Sequence, residues 1–167
     1  MCSCLCRKEV GCSCLCRKDD KAIKKFSETL PIPEFLECDF NIPKPLESAK
    51  VAIVTTAALH SEGAGFELGD SDYHYESLGR GARNLKLGHH SVNFDRGGFA
   101  ADINVVYPID RLEEMADRGE IGSVAESHYS FAGNQSASVS EIRMDSGPNC
   151  AQRMLEEHVD VVLLTGT

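Results

Sequence analysis

Two short stretches constrain this chain more than any other feature. Residues 50–57 (KVAIVTTA) and 159–165 (VDVVLLT) are almost continuously apolar and rich in β-branched side chains. Runs of this length without polar alternation fit strands buried on both faces, as in a parallel sheet with helices above and below. The first is read as the opening core strand and the second as a central parallel strand.

Helical signals lie between them. Pro108 sets a helical φ at a first-turn position, and Ile109, Leu112, Met115 and Ala116 follow as one apolar stripe. Gly119 stands where a left-handed C-cap belongs, and Glu114 and Arg118 form an i, i+4 pair on the exposed side. Residues 147–158 predict a second helix with Cys150, Ala151, Met154, Leu155 and His158 facing inward, and 123–128 reads as a strand. Shorter strand candidates, 73–77 and 86–91, flank the turn at Gly79 and Gly81. Strands alternating with helices imply an α/β fold: a parallel, Rossmann-like sheet flanked by helices, here an incomplete lobe.

The N-terminal part differs in kind. Cys-Ser-Cys-Leu-Cys-Arg-Lys occurs at 2–8 and again at 12–18, placing six of the eight cysteines in a tandem repeat. Cys2, Cys4, Cys6, Cys12, Cys14 and Cys16 could ligate a thiophilic metal, but the repeat lacks C-x2-C pairs and a nearby His. A duplicated, disordered extension over 1–30, or a misplaced start codon, is the plainer reading. Prolines at 31, 33, 43 and 45 then make 31–48 an extended lead-in, and the folded domain begins near Ala49 and runs to 167.

A chain of 167 residues with 42% hydrophobic content suits one core. Its formal charge of -9 offers no field for a phosphate backbone, which argues against a nucleic-acid partner. The longest apolar runs are far short of the roughly 18–20 residues that cross a bilayer, so no membrane association is expected. The N-terminus alternates Cys with Ser, Leu, Arg and Lys, unlike a secretory signal, and a cytoplasmic location with reduced thiols follows. No G-x-G-x-x-G follows the first strand, and neither G-x4-G-K-[ST] nor G-x-S-x-G occurs.

In open parallel sheets, ligands bind beyond the carboxyl ends of the strands. The residues at those ends are Thr55 and Thr56, His89 and His90, 130–133, and finally Thr165, Gly166 and Thr167. His89 and His90 alternate along a strand and face opposite ways, so one metal cannot take both without a bulge. Cys38 lies in the lead-in and Cys150 on an apolar helical stripe, poor settings for a nucleophile.

Four segments resemble the selenoprotein B family of glycine, sarcosine, betaine and D-proline reductases: VAIVTTAALH at 51–60, DINVVYPIDRL at 102–112, GEIGSVAESHYSFAGNQ at 119–135 and VDVVLLTGT at 159–167. The likeness covers roughly 45–167, the first part of a longer family member. It implies a catalytic selenocysteine, or a cysteine in its place, immediately after Thr167, so that the chain is truncated and inactive alone. This chain would then bind no cofactor itself. A partner's pyruvoyl group would activate a small amino-acid substrate as a Schiff base, the selenolate would cleave the C–N bond, and a dithiol would be the reductant. The resemblance also implies a pyruvoyl subunit and a selenoprotein A-type carrier as partners. Thr165, Gly166 and Thr167 would shape the loop that aims the nucleophile. His90, Asp95, Asp102, Asn104 and His128 could orient substrate or carry protons, although each also fits a structural part. Arg111 could reach a carboxylate or simply be solvated. Two other classes stay open: a non-catalytic α/β module for a small ligand, and metal or redox binding through the cysteine repeat.

Overall fold

The computed structural model describes residues 25, 28–29, 41–66, 72–88, 96–133, 135 and 139–166. Contacts separate Met1–Ile32 from Pro33–Thr167, and the architecture here is that of the second unit. The cysteine repeat, Pro31 and Pro33 lie outside the described residues.

After a 3-10 turn at Leu46–Ser48, β1 (Lys50–Thr55) enters the core with Val51, Ala52, Ile53 and Thr55 buried. A short β2 (Leu59–His60), β3 (Tyr75–Gly79), β4 (Lys86–Leu87), α1 (Arg96–Ala101) and a 3-10 turn at Ile103–Val105 follow. Next come α2 (Ile109–Asp117), β5 (Ser123–Val124), β6 (Ser127–Phe131), a π-helical turn at Ile142–Ser146, α3 (Gly147–Glu156) and β7 (Val161–Thr165). Strands β5, β6 and β7 all pair with β1 in parallel, and β3 closes the far side antiparallel to β6. The α/β expectation of a mostly parallel sheet flanked by helices is met, with one antiparallel edge strand.

Alternation along β1 sorts the two faces. Val51 and Ile53 join Ile109, Leu112, Val124 and Tyr107 in one core cluster beneath α2, with Met115, Ala116 and Val161 packed against it. Val54 turns the other way and meets Tyr129, Phe131, Cys150, Ile142 and Met154 beneath α3. Burying a Leu or Ile side chain fully is worth about 1.5–3 kcal/mol, so the first cluster dominates the stability of the described core. Gly119 adopts φ +72 after α2, the left-handed cap its position predicts. Gly122 is required by proximity: a Cβ there would lie 2.5 Å from Ser48 C, where the chain passes under the start of β1.

Four expectations change. The strand expected at 123–128 is broken: β1 advances three residues from Val51 to Val54 while its partner advances five, from Val124 to Tyr129. Side chains fill the interrupted ladder. His128 Nδ1 accepts the Ile53 N–H at 3.0 Å, and Glu157 Oε1 accepts those of Ser127, at 3.0 Å, and Glu126. Second, β7 is parallel as expected but not central: among the described residues it pairs only with β1, and Leu164 is 75% exposed. Third, of the inward stripe expected on the second helix only Cys150 is buried and Met154 half-buried, whereas Ala151, Leu155 and His158 are exposed. That helix also ends at Glu156, where His158 at φ +59 leaves the helical region. Fourth, strand structure in 86–91 is limited, among the described residues, to Lys86 and Leu87, paired with β2 outside the main sheet, and the 73–77 candidate is shifted to 75–79.

Candidate functional site

The carboxyl edge of the parallel strands is built from β1, β6 and β7, which end side by side, with Thr55 opposite Ser130 on one flank and Thr165 on the other. Beyond β1 the chain makes a tight turn. Thr55 Oγ1 accepts the Ala57 N–H at 3.2 Å, and Ser130 Oγ accepts that of Leu59 at 2.6 Å. Ala58 is buried at φ +52, a left-handed conformation that costs an L-residue about 1–2 kcal/mol. Backbone strain of this sort gathers at functional edges. Here it is held by Ala58 N–H to Phe131 O and Gly88 N–H to Ala58 O, both 2.9 Å.

On the other side, Thr56 N–H donates to Thr165 O at 3.0 Å, and Thr165 Oγ1 donates to Val106 O at 2.8 Å. The Thr165 hydroxyl thereby ties the end of β7 to the segment that opens α2. Asp102 and Asn104 sit in that segment. Asp102 Oδ1 accepts the backbone and side-chain N–H groups of Asn104 at 2.9 and 2.8 Å, and Asn104 Oδ1 accepts the Asp110 N–H at 3.0 Å. The Asn104 backbone N–H, more than any other group, holds the Asp102 carboxyl below its ordinary range. Gly166 is exposed, with open space around the place a Cβ would occupy.

Thr55, Thr56, Thr165 and Gly166 are thus brought to one edge, and Asp102 and Asn104 organise the neighbouring segment that Val106 ties to it. His128 belongs deeper, fully buried two residues below Ser130 and edge-on to Tyr107 with ring centroids 5.6 Å apart. Burial pushes its pKa down to about 4, so the imidazole is neutral, with Nδ1 unprotonated to accept from Ile53. Its Nε2 and the Tyr107 hydroxyl are buried without a hydrogen-bond partner among the described residues. Arg111 lies on the surface, 2.7 Å from Glu114. His89, His90, Asp95 and Thr167 lie outside the described residues.

Residues not singled out by sequence complete the edge. Asp72, 8% exposed, pairs with His74, which stacks on Phe66 at 4.7 Å, and Glu76 lies 3.6 Å from the same imidazole. Gln135 Nε2 bridges Asp72 O and Ala132 O at 2.8 Å each. The signal was present in the alternation of Asp72, His74 and Glu76 with aromatics. Beside this edge, on the α3 face, opens an apolar groove of about 480 Å³ lined by Val54, Phe131, Ile142, Cys150, Met154 and Leu164. Burial raises the Cys150 thiol to about 11, which leaves it almost wholly protonated at neutral pH and unsuited to nucleophilic attack.

A mostly parallel sheet flanked by helices, with a strained turn and hydrogen-bonded hydroxyls at its carboxyl edge, defines an α/β protein of the class in which ligands bind beyond the strand ends. Residues 17–167 match the family model for glycine/sarcosine/betaine reductase selenoprotein B, and the chain belongs to that family. It is 30% identical, over 132 residues, to the D-proline reductase subunit gamma of Acetoanaerobium sticklandii, a match covering 74% of this chain and 51% of that protein. The chain therefore spans about half the length of this curated relative. No solved structure gives a significant match. Among the described residues, no helix is long and apolar enough to cross a membrane.

Proposed function

We propose that this chain is the N-terminal part of a selenocysteine-dependent amino-acid reductase subunit, acting in the cytoplasm, whose reactive selenium follows Thr167 at the carboxyl edge of the sheet. The observation that carries the reading is the register of β7, which brings Thr165 and Gly166 level with the strained turn after β1. The Thr165 hydroxyl and the Thr56 amide hold the strand end still, and Gly166 leaves space for backbone N–H groups to approach an anion.

The substrate class is a small amine, D-proline first because of the relative, with glycine, sarcosine and betaine as the alternatives within the family. The reaction breaks the bond between nitrogen and the α-carbon, a dithiol oxidised to a disulfide supplies two electrons and two protons, and the carbon and the nitrogen each gain a hydrogen; in D-proline this opens the ring and the nitrogen stays attached at its other end. A pyruvoyl group on a partner subunit supplies electrophilic activation of the amine, and a selenoprotein A-type carrier is the second expected partner. Only the ionised selenol is a nucleophile, so a rigid strand end that offers amide N–H groups favours the reactive form. Without the residue that follows Thr167, the chain is inactive.

The test begins with the codon after 167. An in-frame TGA followed by coding sequence with a nearby Cys codon is expected. The product of the whole frame, assembled with its partners, should then reduce D-proline with dithiothreitol and lose that activity when the selenocysteine is replaced by serine. A TAA or TAG codon at that place, or a complete subunit that reduces none of the four amines, overturns the reading.

A further inference from the structure

The far edge of β7 has no strand neighbour among the described residues, although its side chains are those of an interior strand. Val162 and Leu163 are each 37% exposed and Leu164 75%. Val162 and Leu164 project into the apolar groove, joined there by Met154 of α3. Open edges of this composition invite pairing, and soluble chains usually blunt them with charge or Pro, neither of which occurs in Val161–Thr165.

Connection geometry says what covers it. From β6 the chain crosses β1 to reach β7, with α3 on the face of Val54, Tyr129 and Phe131. A further parallel strand beyond β7 would continue in the same direction across the sheet. Right-handedness, obeyed by about 98% of such connections, then places its connecting helix on that same face, over the groove. The relative of which this chain spans about half has the length for such a unit.

We propose that the outer edge of β7 and the groove beside it are the docking surface for the helix and strand that follow residue 167 in a family-length chain, with Leu164 and Val162 beneath the helix. This deepens the reading under Proposed function and rests on it. Closing the groove buries the base of the loop that carries the selenium, so the same contact that completes the sheet immobilises the nucleophile.

Hydrogen exchange tests it on two products of the gene, the 167-residue chain and the whole frame with Cys in place of selenocysteine. Exchange across 161–165 is expected to be at least about a hundredfold slower in the longer product. Leu164→Asp should restore fast exchange there, yet leave the melting temperature of the 167-residue chain unchanged. A continuing frame whose product leaves β7 exchanging as it does in the 167-residue chain overturns this inference alone, whereas a TAA or TAG codon overturns it together with the functional reading. A 167-residue chain that dimerises, and that Leu164→Asp splits, also overturns it, because the occupant is then a second copy.

Discussion

Strands β1 and β7 lie side by side in register, Val51 against Val161 through Thr55 against Thr165, and carry side chains of nearly the same kind. One is the middle of the described core and the other its margin. Ile53 is fully buried, flanked on both edges and roofed by α2, while Leu163 and Leu164, one paired edge away, face solvent. The residues do not make this difference. A strand is central because of what the rest of the chain places beside it, and among the described residues β1 receives β5, β6 and β7 while β7 receives only β1. The helices repeat the contrast: both are amphipathic, but α2 buries Ile109 and Leu112 whereas α3 buries Cys150 alone.

The comparison is broken most severely at β1. Ile53→Ala should cost about 2–5 kcal/mol in denaturant unfolding, because Ile53 is fully buried in the larger core cluster and its truncation leaves a cavity there. A loss near zero would mean that β1 is no better packed than β7.

Acid should act on the same strand through its neighbour. The His128 pKa is pushed down to about 4 by burial, so the unfolded chain takes up a proton near pH 6.5 that the folded chain refuses. The stability contributed by neutral His128 is therefore complete above about pH 6.5, falls as pH drops towards 4 and levels off below, a loss of about 3 kcal/mol. Urea unfolding across that range, with His128→Leu as the reference lacking this dependence, measures it.

At pH 7.5, His128→Leu itself strands the buried Ile53 N–H, which donates to Nδ1 across the broken ladder. A cost of about 1–3 kcal/mol is expected. A neutral outcome would mean that the bulge closes into a continuous strand.

Leu164→Ala in the 167-residue chain should be the smallest change, within about 0.5 kcal/mol, since the side chain has little burial to lose. An effect as large as that of Ile53→Ala would erase the distinction between the two strands.

Much of the architecture could be read before any coordinates. The run at 50–57 announced a doubly buried strand, and Pro108, the stripe from Ile109 to Ala116 and Gly119 framed α2 to within a residue or two. The carboxyl-edge rule brought Thr55, Thr56, Thr165 and Gly166 together because parallel strands must end on one side. Other parts were hidden for physical reasons. The break between β5 and β6 depends on His128 and Glu157 taking backbone N–H groups, and Glu157 arrives from 30 residues away. Asp72 and His74 reach the edge only because β3 runs antiparallel to β6, a direction that strand composition does not encode.

By itself, then, the sequence determined the two long apolar strands and the two longer helices, because periodicity and β-branching act within a few residues, and it specified a parallel α/β sheet with a hydroxyl-rich edge. The tertiary structure alone decided which apolar strand is covered and which is bare, and which polar side chains are consumed by the backbone. Burial and ladder pairing are properties of neighbours far apart in the chain, and no local pattern reports whether those neighbours are in place.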